Sequence, residues 1–157
     1  MKTFHQLFNQ SIKIHAFTDG KVIRLENIPD QAFSYRLIGD GLALEVNTKE
    51  IYAPCSGKIE TIALTKHAFT MALDNQAQLL VHIGLYQDEP HPEYFQYHVN
   101  VGDYVSEGTH ILTLHDHLFQ NQSIIIPIVI LNYQQYPIRS FTTSSFIKQG
   151  KTLFTLK

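Results

Sequence analysis

The sequence has little of what marks a secreted, membrane-spanning or nucleic-acid-binding protein. Its 157 residues contain a single cysteine, Cys55, which cannot form an internal disulfide and suits a reducing compartment. No apolar run approaches the ~20 residues needed to cross a bilayer, and residues 1–10 lack the apolar stretch of a secretory signal. The net charge of −2 gives no reason to expect nucleic acid or an anionic membrane as a partner. We therefore expect a monomeric, cytoplasmic protein.

What is present fits one globular domain of ordinary size. The chain is 44% hydrophobic and 17% charged, and it is long enough to bury a substantial core. Residues 1–11 carry Phe4, Leu7 and Phe8 at helix-like spacing, but the segment is too short to hold a helix by itself. We predict a flexible or weakly helical tail over residues 1–11 and a single domain over residues 12–157.

The domain has the pattern of an all-β protein. Turn signals rich in Gly, Asp, Asn and Pro recur every eight to twelve residues from Ile12 onward. Between them lie β-rich runs, at residues 21–25, 42–46, 79–83, 110–114 and 124–131. This pattern predicts a flattened β-barrel or β-sandwich, with short helical turns within residues 28–37 and 91–97.

Two internal similarities indicate a duplicated β unit. Residues 16–25 resemble residues 53–62, and residues 105–114 resemble residues 147–156. Each copy is a turn glycine followed by a strand, which favours two half-domains around one core. The alternative is that turn–strand units look alike without any duplication.

A pair of histidines is the strongest candidate for a site. Residues 65–85 have the pattern of a hairpin around Asp74-Asn75, because both residues tolerate the positive φ angles of a two-residue turn. That turn would pair His67 with His82 and bring their Cβ atoms to about 4.5–5.5 Å on one face. A three-residue loop would shift the register by one and send them to opposite faces.

The same register makes predictions about the neighbours of the two histidines. Thr65 would lie opposite Gly84, and Phe69 opposite Leu80, all on the face that carries the imidazoles. A hydroxyl and a bare glycine would then flank the histidines on one side, with apolar groups on the other.

Histidines also bind metals, so a zinc protein is an alternative. Two imidazoles fall short of the three or more protein ligands that a zinc site normally has. His115 and His117 form a second cluster, although they also fit an exposed turn after a strand. A zinc hydrolase is the weaker interpretation because Met71 and Tyr86 stand where a His-x-x-x-Asp pattern would need aspartate.

Several motifs resemble one known family from about Ile14 to the end of the chain. The matching segments are Gly39-Asp40-Gly41, then Thr65-Lys66-His67, then L-L-V-H-I-G-L over residues 79–85, and Ile126-Pro127 with the apolar residues that follow. In this order they resemble the glucose-type enzyme IIA of the bacterial phosphoenolpyruvate-dependent sugar phosphotransferase system.

The resemblance implies a phosphocarrier. His82 matches the histidine that accepts a phosphoryl group from the carrier protein HPr and passes it to a cysteine of a IIB domain. His67 matches the second active-site histidine, and Thr65 the threonine associated with it. No cofactor is required, although His67 and His82 could bind zinc together with a partner carboxylate.

The resemblance also implies docking surfaces. Phe33, Phe69 and Leu80 match an apolar docking rim, which Gly84 and Tyr86 would extend, although ordinary core positions are the alternative for the three apolar residues. The expected partners are HPr and the IIB domain of a sugar permease, with regulated permeases or kinases as further candidates. Contact with the membrane would run only through the permease.

The chain departs from the family pattern after the second histidine and in two turns. Tyr86, Gln87 and Asp88 replace the usual residues there, Gln76 stands where glycine is expected, and His91-Pro92 stands where lysine-glycine is common. Both histidines remain, so the changes concern partner choice rather than chemistry. A regulator of the same fold, which binds permeases or kinases according to its phosphorylation state, is therefore the alternative function.

Overall fold

The computed structural model describes residues 11–85, 91–120 and 122–157, and this part of the chain is built almost entirely from β-strands. The strands are β1 (Lys13–His15), β2 (Gly20–Arg24), β3 (Asp40–Val46), β4 (Glu50–Tyr52), β5 (Gly57–Ile62), β6 (Ala68–Leu73), β7 (Gln78–His82), β8 (Phe95–Tyr97), β9 (Tyr104–Val105), β10 (His110–Leu114), β11 (Ile124–Ile130), β12 (Ile138–Phe141), β13 (Phe146–Ile147) and β14 (Thr152–Leu156). One α-helical turn covers Gln31–Ser34, and 3-10 turns cover Leu25–Asn27, Pro92–Tyr94 and Asp116–Leu118.

The described strands form three open sheets. The largest has eight strands in the order β13-β2-β3-β11-β7-β6-β5-β9, and the two smaller sheets have the orders β1-β14-β12 and β4-β10-β8. All strand pairs are antiparallel, and residues from all three sheets meet in one hydrophobic core. The prediction of an all-β fold of the flattened barrel or sandwich type is confirmed, and the described sheets are open, as in a sandwich.

The predicted runs coincide with strands of the structure. They fall on β2, β3, β7, β10 and β11, with ends that differ by one or two residues at most. The helical turns at 31–34 and 92–94 also lie inside the two segments where helical turns were expected. Among the described residues no helix is long and apolar enough to cross a bilayer.

The topology agrees with a duplicated unit. The repeated segments at residues 16–25 and 53–62 contain β2 and β5, each of which pairs with a short edge strand, β13 and β9 respectively. The segments at 105–114 and 147–156 end in β10 and β14, the middle strands of the two small sheets. The two halves of the chain therefore repeat the same arrangement of strands.

The centre of the large sheet is apolar on both faces. Ile126, Ile128 and Ile130 of β11 face the main core, whereas Val129 lies on the other face. On that outer face a second cluster is covered by the helical segment between β2 and β3, and its buried members are Leu25, Ile28, Phe33, Ala43 and Val129. Near-continuous apolar runs such as β11 are typical of strands buried on both sides.

Close packing of two strands explains why the Gly39-Asp40-Gly41 motif has a glycine at position 41. Gly41 pairs with Val129 where β3 runs beside β11. A Cβ atom at this position would lie 2.1 Å from the backbone oxygen of Ile128, well inside contact distance. The strands would have to move apart to accept any larger residue.

We predict that Gly41→Ala lowers the free energy of unfolding by about 3 kcal/mol, because the new methyl group meets backbone that cannot rotate away. Gly150→Ala is the matched control: Gly150 has a φ of 86° but nothing lies within 4 Å of an added Cβ. That variant should lose only the cost of left-handed backbone, about 1 kcal/mol. Urea unfolding of both variants measures the difference, and equal losses would contradict the steric explanation.

Candidate functional site

The hairpin formed by β6 and β7 has a different register from the one expected. Ala68 pairs with His82, and Phe69 pairs with Val81, which is one residue away from the predicted pairing of His67 with His82. The backbone N–H of Leu73 donates to the oxygen of Ala77, so the loop has three residues rather than two. The two-residue turn predicted at Asp74-Asn75 is therefore wrong.

The chemistry of the loop explains the extra residue. Asn75 Oδ1 accepts a hydrogen bond from the Ala77 N–H at 3.0 Å, which closes a local turn. Gln76 then takes the left-handed conformation, with a φ of 74°. Left-handed backbone at the third loop position is typical of three-residue hairpins, and the family's glycine at this position would meet the same need.

The corrected register changes which faces the neighbours share. Phe69 points into the main core, whereas Leu80 pairs with Thr70 and packs against the outer cluster. The prediction that Phe69 and Leu80 oppose each other on one face is therefore wrong. The same shift of one residue means that Gly84 does not oppose Thr65. The Gly84 N–H donates to the oxygen of Ile125, on the other side of β7, at 3.2 Å.

The two imidazoles lie together in spite of this register. The ring centroids of His67 and His82 are 5.0 Å apart, with the ring planes at 86°. The alternation of strand faces does not extend to His67, because β6 begins only at Ala68 and Lys66 has a φ of 64°. The expected proximity is thus confirmed, but it arises from a left-handed turn and not from cross-strand pairing.

Hydrogen bonds hold His67 in this orientation. Thr65 Oγ1 and His67 Nδ1 are 2.6 Å apart, and the direction of the bond follows the histidine tautomer. The Ile83 N–H donates to the His67 backbone oxygen at 2.7 Å and fixes the main chain. The structure therefore places Thr65 beside His67 as predicted, with the ring's Nε2 atom left free of this bond.

Tyr97 is a positioning residue that the sequence did not reveal. Its hydroxyl donates to the backbone oxygen of Lys66 at 2.8 Å, and its ring packs edge-on against Phe69 at 6.2 Å. Burial raises the pKa of Tyr97, so the hydroxyl keeps the proton that it donates. It lies 31 residues from Lys66 in the sequence, and no local pattern signals the contact.

His82 occupies a largely apolar environment on the outer face of the large sheet. The ring of Phe33 meets it edge-on at 5.5 Å, and His82 Nδ1 is buried with no hydrogen-bond partner in the described part of the chain. Burial lowers the pKa of His82, the nearby His67 lowers it further, and the Asp30 carboxylate acts in the opposite direction. Asp30 is itself held in place, since it caps the helical turn by accepting from the Ala32 N–H at 2.9 Å.

The second imidazole is also neutral near pH 7. Burial lowers the pKa of His67 from its ordinary value of 6.5. The site therefore presents two uncharged rings, which can each offer one nitrogen lone pair and one N–H.

The predicted apolar docking residues do not all reach the surface. Phe33 and Phe69 are 2% and 1% exposed, so both belong to the core rather than to an exposed rim. Leu80 and Gly84 are partly exposed, and Tyr86 lies outside the described residues. The error in the predicted hairpin register explains why Phe69 is buried and not at the surface. Phe33 is buried because the helical turn at 31–34 folds it inward over the sheet.

An apolar residue that the sequence did not single out lies next to the site. Leu64 is 98% exposed and precedes Thr65 directly in the turn before β6. Its side chain is therefore available at the surface beside Thr65.

The other candidates from the sequence are accounted for by local contacts. His115 Nδ1 accepts from the His117 N–H at 3.0 Å, and both rings pack on Tyr94. Within the described residues neither this pair nor His67 with His82 has a third metal-ligating side chain close by.

Burial raises the pKa of Cys55 to about 12, so this thiol is not a nucleophile near neutral pH.

Comparisons with known proteins point to one family. A model of the family described as phosphoenolpyruvate-dependent sugar phosphotransferase system, EIIA 1, matches residues 12–136. The PTS system glucose-specific EIIA component of Staphylococcus aureus strain Mu50 is 30% identical over 145 residues, which are 91% of this chain and 87% of the relative. The same component of strain COL has equal identity and coverage.

A solved structure has the same fold. Glucose permease IIA from Mycoplasma capricolum superimposes with a TM-score of 0.86 at 30% identity, over 96% of this chain and 98% of that one. Fold and relatives together define a phosphocarrier, a protein that holds a phosphoryl group on histidine and passes it on. The chain belongs to the EIIA 1 family of the phosphoenolpyruvate-dependent sugar phosphotransferase system, and its role is in sugar transport with other proteins of that system.

The lowered pKa of His82 predicts how stability depends on pH. An unfolded histidine binds its proton near pH 6.5, whereas native His82 resists protonation, so the unfolded state binds more protons in this range. Stability should therefore fall as the pH decreases from about 7 through the lowered native pKa. We predict that His82→Gln loses less unfolding free energy than the unmodified protein between pH 7.5 and pH 5.5, as measured by urea unfolding. The same loss in both proteins would contradict this assignment.

Proposed function

We propose that His82 is the residue that accepts a phosphoryl group from phospho-HPr and transfers it to a cysteine of a IIB domain in the cytoplasm. The observation that carries the proposal is the asymmetry of the His82 ring. Its Nδ1 atom is buried without a partner in the described part of the chain, whereas the side chain as a whole is partly exposed. Nε2 is therefore the nitrogen that a donor protein can reach.

The lowered pKa of His82 suits the first chemical step. Attack on phosphorus requires a nitrogen lone pair, and a neutral imidazole provides one at Nε2 when the ring proton is on Nδ1. A bond forms between Nε2 and phosphorus while the bond from phosphorus to the donor atom of HPr breaks, and that atom keeps the electron pair. In the second step a IIB thiolate attacks phosphorus, and the Nε2 lone pair is regained.

His67 is placed to stabilise the phosphorylated form. A phosphoryl group brings about two negative charges, which an N–H donor can stabilise without itself reacting. If the Thr65 hydroxyl donates to His67 Nδ1, the proton of the neutral ring lies on Nε2 and can be donated to a phosphoryl oxygen. Thr65 thus selects the tautomer that His67 needs.

Apolar groups around the site fit a dry contact with the partner. Leu64 and Leu80 offer apolar surface near the histidines, and the ring of Phe33 packs edge-on against His82. Excluding water from the contact protects the phosphorus–nitrogen bond from hydrolysis while transfer takes place. In this proposal Phe33 and Phe69 support the docking surface and do not form it.

Zinc is not required for this chemistry but can join the two proteins. His67 and His82 provide two imidazoles, and no third ligand lies beside them among the described residues. A carboxylate from a partner would complete three protein ligands, the usual minimum for zinc. The pair by itself then binds zinc weakly, and tight binding requires the complex.

We predict that His82→Ala abolishes acceptance of the phosphoryl group, because His67, with Thr65 donating to its Nδ1, carries its proton on Nε2 and offers no free lone pair there. His67→Gln should still accept it, since glutamine retains an N–H donor, but should pass it to IIB more slowly. The measurement is incubation with phosphoenolpyruvate, enzyme I and HPr, followed by mass spectrometry of the phosphorylated peptide and by transfer to a IIB cysteine.

Two results would change the assignment. Phosphate on His67 in the unmodified protein would exchange the roles of the two histidines. Phosphate on His82 with no onward transfer to any IIB domain would favour the regulator that signals by its phosphorylation state.

We also predict that Leu64→Ser slows both transfer steps by about tenfold, which is roughly 1.4 kcal/mol of transition-state binding. The exposed side chain should anchor either partner, and its loss should raise KM more than it lowers kcat. Phe146→Ser is the control, because Phe146 is 54% exposed but lies on β13, at the far edge of the sheet from β6. If the two variants behave alike, Leu64 has no special role in docking.

A further inference from the structure

A second group of polar side chains lies on the small sheet β4-β10-β8, and none of its members belongs to β6 or β7. Glu50 is on β4, His110 is on β10, and His98 directly follows β8. One potential metal-ligating atom from each of the three lies within 4.8 Å of the others. Three adjacent strands thus contribute one ligand each to a single point on the surface.

An irregularity in β10 makes this arrangement possible. In a regular strand, residues three apart such as His110 and Thr113 would point to opposite faces. The register of β10 against β4 shifts between His110 and Leu112, so both side chains reach Glu50 on the outer face. Ile111 and Leu112 are both buried within the bulge, which anchors it in the core.

The three side chains already converge through hydrogen bonds. Glu50 Oε2 accepts from Thr113 Oγ1 at 2.7 Å and is hydrogen-bonded to His110 Nε2. His98 Nε2 lies 2.8 Å from Thr113 Oγ1, and the rings of His98 and His110 are 4.2 Å apart with an interplanar angle of 32°. The hydrogen bonds from Thr113 and His110 hold the Glu50 carboxylate beside the imidazole of His110.

We propose that Glu50, His98 and His110 form a zinc-binding site. Two imidazoles and one carboxylate are a recurrent set of protein ligands for zinc, and they leave a fourth position for water or another ligand. The mixture of nitrogen and oxygen donors favours a borderline ion such as Zn²⁺ over Ca²⁺ or Mg²⁺, which prefer oxygen alone. None of the three ligands belongs to β6 or β7, the strands beside the histidine pair.

The position of the site predicts what bound zinc does to the protein. Its ligands belong to three neighbouring strands of one sheet, so the ion would tie β4, β10 and the end of β8 together. A ligand that binds only the folded state raises the apparent stability by an amount that grows with the logarithm of its free concentration over its dissociation constant. Zinc should therefore increase the thermal midpoint of the protein.

The test is a zinc titration of the isolated full-length protein, followed by competition with a chromophoric chelator. We expect one zinc ion per chain, with binding weakened at least tenfold in Glu50→Gln, His98→Gln and His110→Gln. His117→Gln is the matched control for loss of an exposed histidine and should bind as the unmodified protein does. His67→Gln removes the weak pair at the phosphocarrier site and should also leave this binding unchanged.

Cobalt gives an independent measure of the geometry. Co²⁺ in place of zinc should show the intense visible absorption of a four-coordinate site in the unmodified protein and lose it in His98→Gln. Thr113→Val removes the hydrogen bonds that Thr113 makes to Glu50 and His98 but no ligand, so it should weaken zinc binding much less than any of the three ligand variants. Far-UV circular dichroism checks that each variant folds.

Three results would overturn the proposal. These are equal zinc affinity in Glu50→Gln and the unmodified protein, loss of the binding in His67→Gln, and no rise in the thermal midpoint with zinc. A loss as large in Thr113→Val as in His98→Gln would show that the cluster is a hydrogen-bond network only. None of these outcomes bears on phosphoryl transfer, which is measured separately with HPr.

Discussion

The alternation of side chains along β7 is the constraint on which the site depends. Leu79 and Val81 face the main core, while Leu80 and His82 face the outer cluster, and both faces are largely apolar. A shift of one residue would bury an imidazole in the main core and expose aliphatic groups, so pairing with β6 and β11 on either side fixes the register. The histidine is thus carried by a central strand of a rigid sheet, and its position does not rely on a loop.

Partial burial connects the electrostatics of the site with its chemistry. The same apolar surroundings that lower the pKa of His82 and His67 also keep water away from them. A more exposed pair would be protonated over more of the physiological range and would leave an attached phosphoryl group open to hydrolysis. A deeper pair would be out of reach of a partner protein, so the partial exposure of His82 is a compromise between the two requirements.

Much of the fold followed from periodicity, but the details of the site did not. Apolar runs located β3, β7, β10 and β11, because burial on one or both faces leaves a clear pattern. The predicted hairpin register was wrong because a glutamine gives no local signal for a positive φ, and only the family's glycine at the position of Gln76 pointed to one. The two histidines meet through Lys66, which also has a positive φ and gives no local signal for it. Contacts between distant segments, such as that of Tyr97 with Lys66, leave no local pattern at all.

The pairing of the first strands with the last has a consequence for synthesis on the ribosome. β1 pairs with β14 and β2 pairs with β13, whereas β4 finds its partner β10 much earlier in the chain. The half-domain that begins first therefore closes after the other one, because β14, the middle strand of its sheet, follows β10 in the chain. Until then β1 has no partner strand, and β2 is paired with β3 on one side only, so both present unpaired backbone in the nascent chain.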